Sequence, residues 1–166
     1  MVTALIAYMD DVGISIGPVR DDARVKEIVA FVAEFGWLLN EDKLVLDQDT
    51  SLDLLGFNLC TTALDIGATA RRLRKLKVAV AGALARPARM RVRSLCSICG
   101  QIQSMQLAYG IKCRIRSRYL LLAVRLALAD SPDYDAFVAP GARALEELEL
   151  WGADIDKSAR QPMHVH

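Results

Sequence analysis

Two acids stand side by side, Asp10 and Asp11, inside the run Ala4-Leu5-Ile6-Ala7-Tyr8-Met9-Asp10-Asp11-Val12-Gly13-Ile14-Ser15-Ile16. Adjacent carboxylates repel each other and resist burial, so folding alone gives no reason to set them in an otherwise apolar, strand-like stretch. Carboxylate oxygens are the hard ligands that magnesium (Mg2+) prefers, usually one or two of them completed by substrate phosphates. Two such ions, about 3.5 to 4 Å apart, activate a hydroxyl and stabilise a leaving phosphate in an in-line displacement. A second candidate group is Cys96-Ser97-Ile98-Cys99, whose spacing can mark zinc or redox chemistry. Zinc would need a second ligand pair, and the two histidines, His164 and His166, sit far along the sequence. The simpler expectation is reduced thiols buried on an apolar helix face.

Charge is divided unevenly along the 166 residues, although the net value is only +1. Residues 1–70 hold 4 Lys/Arg and 12 Asp/Glu, residues 71–125 hold 14 Lys/Arg and no acid, and residues 126–166 hold 3 and 8. A block of fourteen cations without a counter-charge is too one-sided for an ordinary solvated surface and points to a polyanion, with nucleic acid the obvious one. An apolar fraction of 53% supplies a packed core and excludes a disordered tail. The longest apolar run, around Tyr119 to Val124, is far short of the roughly 20 residues that cross a bilayer. With Asp10 and Asp11 arriving too early for a secretory signal, the expectation is an intracellular protein, cytoplasmic or nuclear, that is not secreted and has no membrane partner.

Elements must position these groups. Residues 3–16 read as two short strands with the acids at their turn. Asp21 or Asp22 caps a helix whose apolar residues, Val25, Ile28, Val29, Val32 and Phe35, cover a sheet face, and Gly36 stops it. Trp37-Leu38-Leu39 reads as a short strand, Asn40 to Lys43 as a polar turn into Leu44-Val45-Leu46, and Leu54 to Cys60 with Leu64-Asp65-Ile66 as a second hairpin. Three helices follow. Leu73, Leu76, Val80 and Leu84 share one face; Val92, Leu95, Cys99, Ile102 and Met105 share the next; Ile111, Ile115, Leu122 and Leu126 suggest a third, with Arg114, Arg118 and Arg125 on one side. The remainder reads as looser, with one acidic helix from Ala142 to Trp151. The fold class expected is α+β: a small antiparallel sheet with a packed helix, then an all-helical basic lobe.

In this order the motifs resemble reverse transcriptases, the RNA-directed DNA polymerases of retroviruses and retrotransposons. Tyr8-Met9-Asp10-Asp11 between apolar strands resembles their catalytic hairpin, and Gly36-Trp37-Leu38-Leu39-Asn40-Glu41-Asp42-Lys43 is similar to the motif that comes next in that family. Leu54-Leu55-Gly56-Phe57-Asn58-Leu59 looks like the hairpin that grips the primer end. The stretch from Arg93 to Ser104 is similar to a thumb helix, and Glu146 to Trp151 resembles the segment joining thumb to RNase H. The resemblance implies a partial palm at 1–70, a basic helical thumb at 71–130 and a connection-like tail at 131–166.

It also implies roles. Asp10 and Asp11 would hold two magnesium ions, with Tyr8 and Met9 beside the primer terminus and template base. Lys43 would stand near the outgoing pyrophosphate as a proton donor. Leu55, Gly56 and Phe57 would shape the primer grip, and Arg114 and Arg118 would contact phosphates without reading sequence. The partners implied are an RNA/DNA template–primer duplex and a deoxynucleotide. None of the residues is assigned to the family's third metal-binding acid or to its fingers, which precede the hairpin in an intact enzyme. The chain alone is therefore expected to be inactive, and the remaining palm and fingers of the same polyprotein are its missing partner. The first hairpin is expected to expose an edge that such strands would cover. The alternative is a non-catalytic nucleic-acid-binding relic of a retroelement.

Overall fold

The computed structural model describes residues 4–8, 11–15, 19, 21–46, 49–155, 157 and 160–163. They form an α+β chain of small antiparallel sheets and several helices, divided into two compact units, Met1–Thr50 and Ser51–His166. Among the described residues no helix is long and apolar enough to cross a membrane.

In the first unit, β1 (Ala4–Tyr8) and β2 (Asp11–Ser15) pair antiparallel in the register Tyr8 opposite Asp11 and Ala4 opposite Ser15. Helix α1 (Asp22–Glu34) begins where the sequence predicts, because the Asp21 carboxylate accepts from the Arg24 backbone N–H at 2.9 Å. It ends at Gly36, whose φ of +79° is a left-handed conformation that glycine adopts without strain. Val25, Ile28, Val29 and Val32 are half-buried, and no side chain of this helix is fully buried. Phe35, expected on the covered face, is exposed and stacks on Phe31 with ring centroids 4.7 Å apart. The expected strand Trp37-Leu38-Leu39 does not form. Residues 37–40 have no regular structure, with Leu38 fully exposed, and residues 44–46 come after a single 3-10 turn, Glu41–Lys43, without pairing. A strand needs a neighbouring ladder to satisfy its backbone groups, and these apolar triplets find none among the described residues.

The second unit carries the core. Strands β3 (Ser51–Leu54), β4 (Phe57–Cys60) and β5 (Asp65–Ala68) form a meander, joined on β5 by β8 (Arg160–Pro162) in an all-antiparallel sheet of order β3-β4-β5-β8. The expected single strand Leu54 to Cys60 is instead two strands with Leu55 and Gly56 at the turn. Helices α2 (Ala70–Leu84), α3 (Val92–Ser104), α6 (Arg118–Asp130) and α7 (Ala142–Asp154) enclose the core, α3 packing on α2 and α6, and α7 on α2 and α6. Short helices α4 (Gln106–Tyr109) and α5 (Lys112–Ile115) intervene, and α4 packs against β5 and β8. A two-residue ladder, β6 (Met90–Arg91) with β7 (Phe137–Val138), closes the base of α3.

The periodicity named the α3 face correctly: Val92, Leu95, Cys99, Ile102 and Met105 are all buried. It misplaced the third. The chain there breaks at Gly110 and again at Arg116-Ser117, so Ile111, Ile115, Leu122 and Leu126 do not share a helix and are exposed, while Cys113, Leu120 and Val124 are buried. The tail also differs from its reading as loose. Leu148, Trp151 and Ile155 are fully buried, the Trp151 indole N–H donates to the Arg116 carbonyl at 2.7 Å, and its ring meets Tyr109 edge-on at 5.3 Å. The two compact units divide at Thr50–Ser51 rather than at residue 70, because the β3–β5 meander belongs with the helices that cover it.

Candidate functional site

The hairpin register is informative about the adjacent acids. With Tyr8 opposite Asp11, Asp11 opens β2. Met9 and Asp10 themselves, and the side chains of Tyr8, Asp11 and Lys43, lie outside the described residues. Lys43 ends the 3-10 turn that the Asn40 side chain caps by accepting from the Asp42 N–H at 3.1 Å.

Leu55, Gly56 and Phe57 are brought together at the β3–β4 turn. Leu55 and Gly56 have φ of 52° and 80°, the two positive values that a two-residue type I′ connection requires. Gly56 accepts this freely; Leu55 does not, and a bulky residue held there at a partly exposed tip stores strain of roughly 1–3 kcal/mol. Beneath the turn, the Arg72 guanidinium lies 4.8 Å from the centroid of the buried Phe57 ring and donates to the Ser104 carbonyl at 3.2 Å. A Cβ on Gly56 would stand 2.3 Å from Arg72 Nε. Arg72 is thus part of the turn's support. Sequence reasoning counted it only as one cation of the basic block, and no local motif distinguishes it from Arg71 or Arg74.

The remaining cations are dispersed. Arg114 lies on α5 and Arg118 on α6, both exposed, so they occupy separate helices instead of one continuous face. Arg116, between them, is turned into an ion pair with Asp154, whose carboxyl it holds below the usual range by hydrogen bonding. Arg118 and Arg125 do come together, around an open recess of about 310 Å³ shared with Tyr119, Leu121 and Leu122. The α6 N-terminus behind this recess is capped unusually. The Ser117 hydroxyl donates backwards to the Cys113 carbonyl at 2.6 Å, and the buried Glu147 carboxylate of α7 accepts from the Tyr119 and Leu120 N–H groups at 3.0 and 2.9 Å.

The two buried cysteines are poor nucleophiles. Burial pushes the Cys99 thiol up to about 12 and the Cys113 thiol up to about 11, and all four cysteines are free. Among the described residues no three His, Cys, Asp or Glu side chains stand together as a metal site. No protein-family model, no curated protein and no solved structure matches the chain.

Proposed function

We propose that this chain carries the metal-bearing hairpin and the duplex-holding helical lobe of a polymerase of the reverse-transcriptase type, with a partial palm followed by a thumb. The observation that carries the reading is the register Tyr8 opposite Asp11, which sets the second acid of the Tyr8-Met9-Asp10-Asp11 motif at the end of an antiparallel ladder. Support comes from the order of the downstream elements: a capped helix, a glycine stop, a strained Leu55–Gly56 turn and helices drawn from an acid-free basic block.

Asp10 and Asp11 fit magnesium in kind, as hard oxygen donors that leave room for phosphate oxygens. When bound, magnesium supplies activation of a primer 3′-hydroxyl and neutralises charge on the departing pyrophosphate. The chain's residues divide the rest. Tyr8 and Met9 flank the primer terminus, Leu55 to Phe57 steady it, Lys43 donates a proton to the leaving group, and Arg114 and Arg118 hold phosphates. Nucleotide selection is assigned to none of these residues and falls to the rest of a longer polyprotein.

The test is binding of an RNA–DNA duplex across a salt series with primer extension measured in parallel. Affinity is expected to fall steeply with salt, Arg114→Gln and Arg118→Gln each lowering the logarithmic slope by about 1, without extension by the 166-residue chain. Salt-independent binding, or none, overturns the reading; extension overturns the assignment of nucleotide selection elsewhere. Magnesium uptake that Asp11→Asn abolishes separates this function from a non-catalytic nucleic-acid-binding relic.

A further inference from the structure

The segment after α6 returns to the start of α3 and is fixed there by bonds of several kinds. The Val92 and Arg93 N–H groups donate to the carbonyls of Ala136 and Tyr134 at 3.1 and 2.8 Å. Asp135 accepts from Arg93 Nε and Nη2 at 3.2 and 3.0 Å, stands 3.6 Å from Arg91 Nη1, and its own N–H donates to Asp133 at 2.8 Å. The β6–β7 ladder sets Phe137 opposite Arg91.

This scaffold holds Phe137 out in water, 56% exposed, with the guanidinium carbons of Arg89 and Arg91 at 5.4 and 5.6 Å from its ring centroid. Leaving a phenylalanine ring this exposed forgoes much of the favourable free energy of burying it, and the bonded backbone removes the option of tucking it in. Arg89 and Arg91 are exposed beside the ring, and Arg86 and Arg93 are exposed on the same stretch of chain. The acids nearby are Asp133 and Asp135; Asp135 is engaged by Arg91 and Arg93, while Arg86 and Arg89 form no ion pair among the described residues. An aromatic face with unneutralised cations beside it matches one polyanion best: a strand whose bases are unstacked and whose phosphates are spaced along the backbone. A duplex keeps its base faces covered and offers this ring nothing.

We propose that this surface binds single-stranded nucleic acid, a base stacking on Phe137 and its flanking guanidiniums while Arg86 and Arg89 take phosphates. The site shares no residue with Arg114 and Arg118, so it and the duplex reading fail separately.

The test uses the full chain, with labelled oligothymidylate and oligouridylate of about 12 nucleotides and an RNA–DNA duplex of similar length, read by fluorescence anisotropy across a salt series. Phe137→Leu keeps the apolar bulk and removes the π face; it is expected to weaken single-strand binding about tenfold and leave duplex binding unchanged. Arg89→Gln is expected to lower the single-strand salt slope by about 0.7. Should Phe137→Leu disturb the fold by circular dichroism, Phe137→Trp replaces it and is expected to bind at least as tightly as the parent. The proposal is overturned by no single-strand binding, by Phe137→Leu binding like the parent or losing both ligands equally, or by Phe137→Trp losing the strand.

Discussion

At Gly56 two demands meet in one residue. Its φ of 80° excludes a comfortable Cβ, and the space that a Cβ would fill is held by Arg72, which is itself engaged with the Phe57 ring and the Ser104 carbonyl. An arginine can swing away, but only by giving up those contacts, so the steric cost becomes a loss of cation–π and hydrogen-bond energy. Gly56→Ala is expected to destabilise the second unit by about 2 kcal/mol, half from the backbone and half from displaced Arg72. In an Arg72→Ala background the same substitution is expected to cost only about 1 kcal/mol, the backbone share. Urea unfolding of the four proteins of that cycle measures the difference, and equal costs in both backgrounds would refute the coupling. Leu55, beside it, carries strain of the same kind. The β3–β4 connection needs positive φ twice, asparagine or glycine would supply it without strain, and the chain instead fixes an apolar side chain at the tip.

The joint between α6 and α7 shows how an element can borrow its cap. Ser117, in the N-cap position of α6, spends its hydroxyl on the preceding turn, and Glu147, 6% exposed, answers the first amides in its place. Removing the carboxylate leaves those N–H groups buried without acceptors, so Glu147→Ala is expected to cost about 2–3 kcal/mol, while Glu147→Gln, which keeps one acceptor oxygen, is expected to cost about half as much. Thermal melts of the two variants check this; equal midpoints for glutamine and alanine would show that packing alone matters. This joint also marks where sequence reading stops. The α3 face was legible because five apolar residues recur at helical spacing with nothing to interrupt them. The α5–α6 face was not, because Arg116 and Ser117 are ordinary helix residues and the break between them is imposed by partners far along the chain, Asp154 and Trp151. The same long-range contacts pull the acidic tail into the core, although the sequence reads as a looser segment with one acidic helix. For the candidate site, the first hairpin was visible as a short motif, whereas the turn at Leu55–Gly56, the role of Arg72 and the exposed Phe137 depend on the segments that fold against them.

The two units differ in how far they satisfy themselves. Every fully buried apolar side chain among the described residues lies between Phe57 and Ile155 in the second unit, where four helices and a sheet close on one core. In the first, α1 buries none of its side chains completely, and Phe31, Phe35, Trp37, Leu38 and Val45 are exposed. A two-stranded hairpin is at best marginal by itself, and so large an apolar surface left in water favours association with another surface. The expected consequence is that residues 51–166 expressed alone unfold in one cooperative transition with a midpoint within a few degrees of the full chain. The same fragment is expected to stay monomeric at concentrations where the full chain self-associates, as sedimentation velocity would show. A large drop in midpoint on removing residues 1–50 would mean that the first unit supplies essential packing. That result would overturn a division of labour in which the second unit is stable by itself and the first leaves its apolar surface for association.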